Sequence, residues 1–134
     1  MNSYTIGLDI GGTKIAAGLI DKQGRCLHDV TLPSLPDDSE AMFKQVKASV
    51  DRLVEKGNAP THSIRGLGIG VPGKVDRERG IAVMQANLPW RNFPLISRLK
   101  EYYPWPILLD HDVAAAAYGE WVHSRGVRRR HSFT

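Results

Sequence analysis

One cysteine, five histidines and three phenylalanines in 134 residues leave several kinds of chemistry with little to work with. The lone Cys26 cannot close an internal disulfide, and nothing beside it has the spacing of a zinc knuckle, so it reads as a small core thiol on a strand and no zinc site is expected. No apolar run approaches the roughly 20 residues of a membrane span, and no leader pattern opens the chain, so the expected compartment is the cytoplasm. Acidic residues are missing after Glu120, where Arg125, Arg128, Arg129 and Arg130 follow. These four carry the whole formal charge of +4, since the remaining 14 Lys and Arg balance 14 Asp and Glu. Without an aromatic platform or a recognition helix beside it, this basic end reads as a solvated tail over residues 125–134 rather than a nucleic-acid arm.

What is present suits one globular core. A hydrophobic content of 42% over this length supports a single domain, read here as residues 1–124. Tyr4–Ile10 alternates, with Ile6, Leu8 and Ile10 on one face and Thr5, Gly7 and Asp9 on the other, which is a strand period. Residues 15–20 read as a second strand, Asp21 to Gly24 as a turn, and residues 25–32 as a third strand, so the chain opens with an antiparallel meander. Asp37, Asp38 and Ser39 offer caps to a helix with apolar positions at Phe43, Val46, Val50, Leu53 and Val54, ended by Gly57. Residues 64–71 form the next strand, with Leu67, Ile69 and Val71 on one face and Gly66, Gly68 and Gly70 baring the other to a close neighbour. Residues 74–93 read as irregular, 94–102 as a short helix, 107–109 as a last strand, and 112–123 as a helix whose Ala114 to Ala117 permit close packing.

Two segments carry candidate chemistry. Residues 7–14, Gly-Leu-Asp-Ile-Gly-Gly-Thr-Lys, run an acidic strand into two glycines, a hydroxyl and a cation. Gly11 and Gly12 let backbone N–H groups approach phosphate oxygens, Thr13 and Lys14 add donors, and Asp9 suits the outer shell of Mg2+. The same glycines would also serve a plain hairpin. Asp110-His111-Asp112 lies between a strand and a helix, where ligands of open α/β sheets bind, although Asp112 would equally cap that helix. Gly68-Ile-Gly-Val-Pro-Gly73 matches a dinucleotide fingerprint in letters only, because Pro72 interrupts it and no helical pattern follows. The phosphate loop with four spacers before Gly-Lys-Ser/Thr is absent.

Together Gly7 to Lys14, Gly68-Ile-Gly-Val-Pro-Gly73-Lys-Val-Asp76, Asn87-Leu-Pro-Trp90, and Asp112 followed by the alanine run and Gly119-Glu120 resemble the N-terminal lobe of the ROK family of glucokinase-like sugar kinases and their repressor relatives. The resemblance implies an α/β, actin-like (ribonuclease H-like) nucleotide-binding lobe with a mixed five-stranded sheet and flanking helices. It implies ATP and Mg2+ as cofactors, a hexose or amino sugar as substrate, and γ-phosphoryl transfer to a sugar hydroxyl. Asp112 would be the catalytic base. Gly73, Asn87, His111 and Asp112 would bind the sugar, Gly11, Gly12, Thr13 and Lys14 the nucleotide phosphates, and Asp9 the metal through water. Asn87 is independently a good turn residue, and Trp90 suits core packing better than a sugar platform. Where the family usually has Glu-Asn-Asp with a further Asn, this chain has Asp110-His111-Asp112 and Ala114. That change bears on which sugar is accepted. The family's second lobe has no counterpart in this sequence, so the chain by itself is expected to be inactive. The alternative is a non-catalytic sugar-sensing module of the repressor branch. With only three residues ahead of Tyr4, no helix-turn-helix is expected and no nucleic-acid or membrane partner; a homodimer is left open.

Overall fold

In the computed structural model, which describes residues 3–85 and 87–110, the opening meander forms as the alternation dictates. Strands β1 (Tyr4–Ile10), β2 (Lys14–Ile20) and β3 (Cys26–Pro33) pair antiparallel in sequence order. The Asp21 turn closes β2 onto β3 through its own carboxylate, which accepts from the Gln23 and Arg25 N–H groups at 2.9 Å. Cys26 opens β3 and is half-buried rather than in the core, its thiol 3.4 Å from the His28 carbonyl.

Helix α1 (Ser39–Gly57) follows, capped by Asp38, whose side chain accepts from Glu40 N–H at 3.0 Å. Its buried stripe of Met42, Phe43, Val46, Val50 and Leu53 recurs at helical spacing and covers the Ile6–Leu8–Ile10 face of the sheet. The helix ends at Gly57 as expected, and the left-handed residue after it is Asn58, with φ of 52°. Gly57 is helical, and it is glycine for a packing reason, because a Cβ there would lie 2.5 Å from Leu19 Cδ2.

Strand β4 (Ile64–Gly70) joins β1 in parallel, and the five-stranded sheet is completed by β8 (Ile107–Asp110), giving the order β3-β2-β1-β4-β8. This is the mixed five-stranded sheet that the resemblance implies. Residues 74–93, read as irregular, instead build a second sheet of three short strands, β5 (Lys74–Asp76), β6 (Ile81–Met84) and β7 (Arg91–Phe93). Gly80, with φ of +69°, turns β5 into β6 against Ile96, and Asp76 holds the turn through the Arg79 and Gly80 N–H groups. Helix α2 (Leu95–Lys100) is shorter than the expected 94–102, and buries Leu95 and Leu99. The expected helix over 112–123 and the basic tail lie outside the described residues.

Register sorts the main sheet into two unlike faces. Ile6, Leu67 and Ile107 align on one, as do Leu8, Ile69 and Leu109, and these are the core. On the other, Gly7 aligns with Gly68, and Asp9, Gly70 and Asp110 fall in one row at the C-terminal ends of β1, β4 and β8. A stripe without side chains thus leads to two carboxylates with a glycine between them.

Candidate functional site

Between β1 and β2 the Gly11–Lys14 segment makes a tight turn, with Gly11 N–H donating to the Lys14 carbonyl at 2.9 Å. The carbonyls of Gly11 and Thr13 are engaged by Ser34, the residue directly after β3. Ser34 Oγ donates to the Gly11 carbonyl at 2.6 Å, and Ser34 N–H to the Thr13 carbonyl at 2.9 Å. Among the described residues nothing accepts from the Gly12 or Thr13 N–H. Thr13 and Lys14 are exposed. The turn therefore offers unpaired N–H donors, an exposed hydroxyl and an exposed cation within three residues, groups of the kind that receive an anion.

Across from it stands the loop that carries Asn87. Gly12 is pressed against this loop so closely that a Cβ would lie 2.5 Å from Asn87 Cβ and 3.1 Å from its carbonyl oxygen. Gly12, Thr13, Pro36, Asn87 and Leu88 line an open cleft of about 480 Å3. The loop is fastened behind the cleft. Ser39 Oγ donates to the Pro89 carbonyl at 3.2 Å, Trp90 Nε1 to the Ser39 carbonyl at 3.2 Å, and Arg91 Nη1 to the Leu88 and Trp90 carbonyls. Trp90 is wholly buried and stacked on Phe93, as its packing role predicts.

Asp9, next to the last residue of the acidic strand, is half-buried, and its carboxyl is pushed up to about 6 by loss of water, opposed by the charge of Lys14. At neutral pH it is ionised. Among the described residues no three His, Cys, Asp or Glu side chains gather as a metal cage. A half-buried carboxylate close to a turn with free N–H groups suits the outer shell of a cation that keeps its own water.

Gly73 has φ of +93°, and the close approach it permits is that of its own chain: a Cβ would sit 2.5 Å from the Met84 carbonyl. Its neighbour Gln85 is buried, donating to the Lys74 carbonyl at 2.9 Å. Asp110 does emerge at the C-terminal edge of β8. Its carboxylate is buried and meets Arg77 Nη1 at 2.8 Å, so the β5–β6 turn is tied to that edge. His111 and Asp112, which would supply a sugar contact and the base, lie outside the described residues. The structure thus brings Gly12, Thr13 and Asn87 to one cleft, with Gly11 and Lys14 beside them in the same turn and Asp9 next to the last residue of the strand that feeds it.

Sequence reasoning missed Ser34, Arg77 and Arg91. Ser34 had a usable signal, since extending the antiparallel β2–β3 pairing by one step past Lys14 and Pro33 places it beside the turn. The two arginines had none.

Comparisons with known proteins converge on one group. The family model described as ROK family matches residues 5–132. A glucokinase of Streptomyces coelicolor is 37% identical over 128 residues, spanning 94% of this chain and 38% of the relative. A xylose repressor of Caldicellulosiruptor bescii is 29% identical over 116 residues, 86% of this chain and 29% of the relative. Among solved structures, a ROK family glucokinase from Streptomyces griseus in complex with glucose and AMPPNP superposes with a TM-score of 0.74 at 35% identity, covering 89% of this chain and 36% of that one. The chain spans less than two fifths of the length of these relatives.

Proposed function

Because this chain belongs to the ROK family, we propose that it is the N-terminal lobe of an ATP-dependent sugar kinase, which moves the γ-phosphoryl group of ATP to a hydroxyl of a hexose or amino sugar. The observation that carries this reading is the turn with unpaired Gly12 and Thr13 N–H groups, which lines one open cleft together with Asn87. Phosphoryl transfer asks mainly for positioning and charge neutralisation, with phosphates on one wall and the acceptor hydroxyl on the other. Gly12 and Thr13 N–H groups and the Lys14 ammonium would hold phosphate oxygens. The ionised Asp9 would order water on the Mg2+ that accompanies the nucleotide. On the facing wall the Asn87 carboxamide, with a donor and an acceptor at its tip, would orient a sugar hydroxyl beside Gly73 and His111. Asp112 would accept the proton of the attacking hydroxyl. ATP, when bound, supplies the phosphoryl group.

The likeness to the xylose repressor supports a second reading, a sugar-sensing module without transfer chemistry. Calorimetry with glucose and with Mg-ATP, on this chain and on any longer product of its gene, together with a coupled assay for ADP, separates the two. Hexose-dependent ADP release by the longer product is the expected result. Sugar binding with neither ATP binding nor ADP release would replace the kinase reading by the sensor.

A further inference from the structure

We infer that Ser34 is a positioning residue for the phosphate-binding turn: its hydroxyl engages the Gly11 carbonyl and so aims the Gly12 N–H at the bound anion, while its own N–H holds the Thr13 carbonyl and with it the frame of the turn. In a trans peptide the C=O of one residue and the N–H of the next point in opposite directions within one rigid plane. Ser34 Oγ fixes the Gly11 carbonyl at 2.6 Å, and this fixes the Gly12 N–H on the far side of the same plane. Ser34 N–H holds the Thr13–Lys14 plane through the Thr13 carbonyl at 2.9 Å. The Gly11–Gly12 peptide is the one that most needs fixing, because glycines on both sides leave it free to flip.

Ser34 is itself mounted rigidly. The carbonyl of Pro33 before it accepts from Gln45 Nε2 at 2.8 Å, and the N–H of Leu35 after it points at Met42 Sδ at 3.3 Å, both from α1. The serine is buried, at 8% exposure, so little water competes for its hydroxyl. A bond between residues 23 apart in sequence thus transmits the rigidity of α1 to the cleft. Ser34 touches no ligand in this account, and acts only through the turn.

The inference rests on the reading of the turn as a phosphate site, and the test separates the two. Amide spectra of the 134-residue chain are followed as inorganic tripolyphosphate is added, for wild type, Ser34→Ala and Ser34→Thr, with dipolar couplings of the Gly12 N–H recorded before addition. In wild type the Gly12 and Thr13 signals are expected to move with a common midpoint. Ser34→Ala should raise that midpoint about tenfold, the worth of one well-aimed bond to an anion, and average the Gly12 dipolar coupling. Ser34→Thr, which keeps the hydroxyl, should stay within about threefold of wild type. Equal midpoints and equal couplings in wild type and a folded Ser34→Ala overturn the inference and leave the phosphate site standing. A wild-type chain whose Gly12 and Thr13 signals ignore tripolyphosphate overturns the phosphate site, and the inference with it. Because the coupling is read without ligand, a variant of lowered stability still reports on orientation.

Discussion

The cleft and the aromatic wall behind it are built on opposite terms. In the wall, each buried polar atom of an aromatic residue has found a partner. Trp90 donates to Ser39, Trp105 Nε1 to the Thr61 carbonyl at 3.0 Å, and Tyr103 OH to Asp51 Oδ1 at 2.6 Å, while Trp90 stacks on Phe93 and Tyr103 on Trp105. At the cleft, two N–H groups of the turn donate to nothing among the described residues, and Asp9 is half-buried with only Lys14 to oppose its loss of water. Unpaired donors beside a wall whose polar atoms are paired are what the proposed phosphate site requires. The wall supplies stability; the cleft gives some of it up.

The largest expected effect lies where the wall cannot help. Because this chain spans less than two fifths of the length of the glucokinases it matches, hexose-dependent ADP release by the 134-residue protein should be at background, since misplacing reacting groups by about 1 Å already costs on the order of a hundredfold. A coupled assay that finds turnover at a rate ordinary for kinases breaks the comparison outright. In a two-lobed form, Asp112→Asn should lower kcat by on the order of a hundredfold or more with little change in thermal stability, because asparagine keeps the capping capacity and loses the proton acceptor. Wild-type kcat in that variant would end the assignment of the base.

Next in size is the wall itself. Trp90→Ala removes a wholly buried ring, its stacking on Phe93 and its bond to Ser39, and should cost about 3–5 kcal/mol in denaturant unfolding of the chain. Loss of the wall also frees the Asn87 loop, so Asn87 amide signals should broaden in the same variant. A change below about 1 kcal/mol would show that Trp90 belongs to the cleft and not to the wall.

These two regions were not equally legible in the sequence. The meander could be read because Tyr4–Ile10 shows a full alternation and α1 carries both a cap and a helical apolar stripe. The three-stranded sheet could not, because strands of three and four residues are too short to display a period, and their turn is fixed by a distant contact of Gly80 with Ile96. At the site, Gly11-Gly12 announced a close approach, but not whose. Gly12 is glycine for Asn87, 75 positions away, and Gly73 for the Met84 carbonyl. Gly57 does end α1, but the left-handed turn after it is taken by Asn58. Chemistry that depends on residue type was visible, and chemistry that depends on who stands opposite was not.

The last prediction sharpens the contrast at Asp9. Its carboxyl ordinarily titrates near 3.8 and is pushed up to about 6 in the fold. Between those values the folded chain holds a proton that the unfolded chain has released, so stability falls as pH rises from about 4 to 6 and is level above it. At pH 7 the folded chain therefore bears an ionised carboxylate in a place that resists it, at a cost on the order of 2 kcal/mol. Asp9→Asn should remove that cost, so the variant is expected to be more stable than wild type at pH 7, and the two should draw together as pH falls toward 4. The same change should weaken Mg-ATP binding in a two-lobed form. Urea unfolding of both chains at pH 4, 5, 6 and 7 measures it. An advantage for asparagine that is constant across the series would mean that packing, not charge, separates the two residues, and a wild-type chain that is the more stable at pH 7 would mean that Asp9 is already satisfied within this lobe.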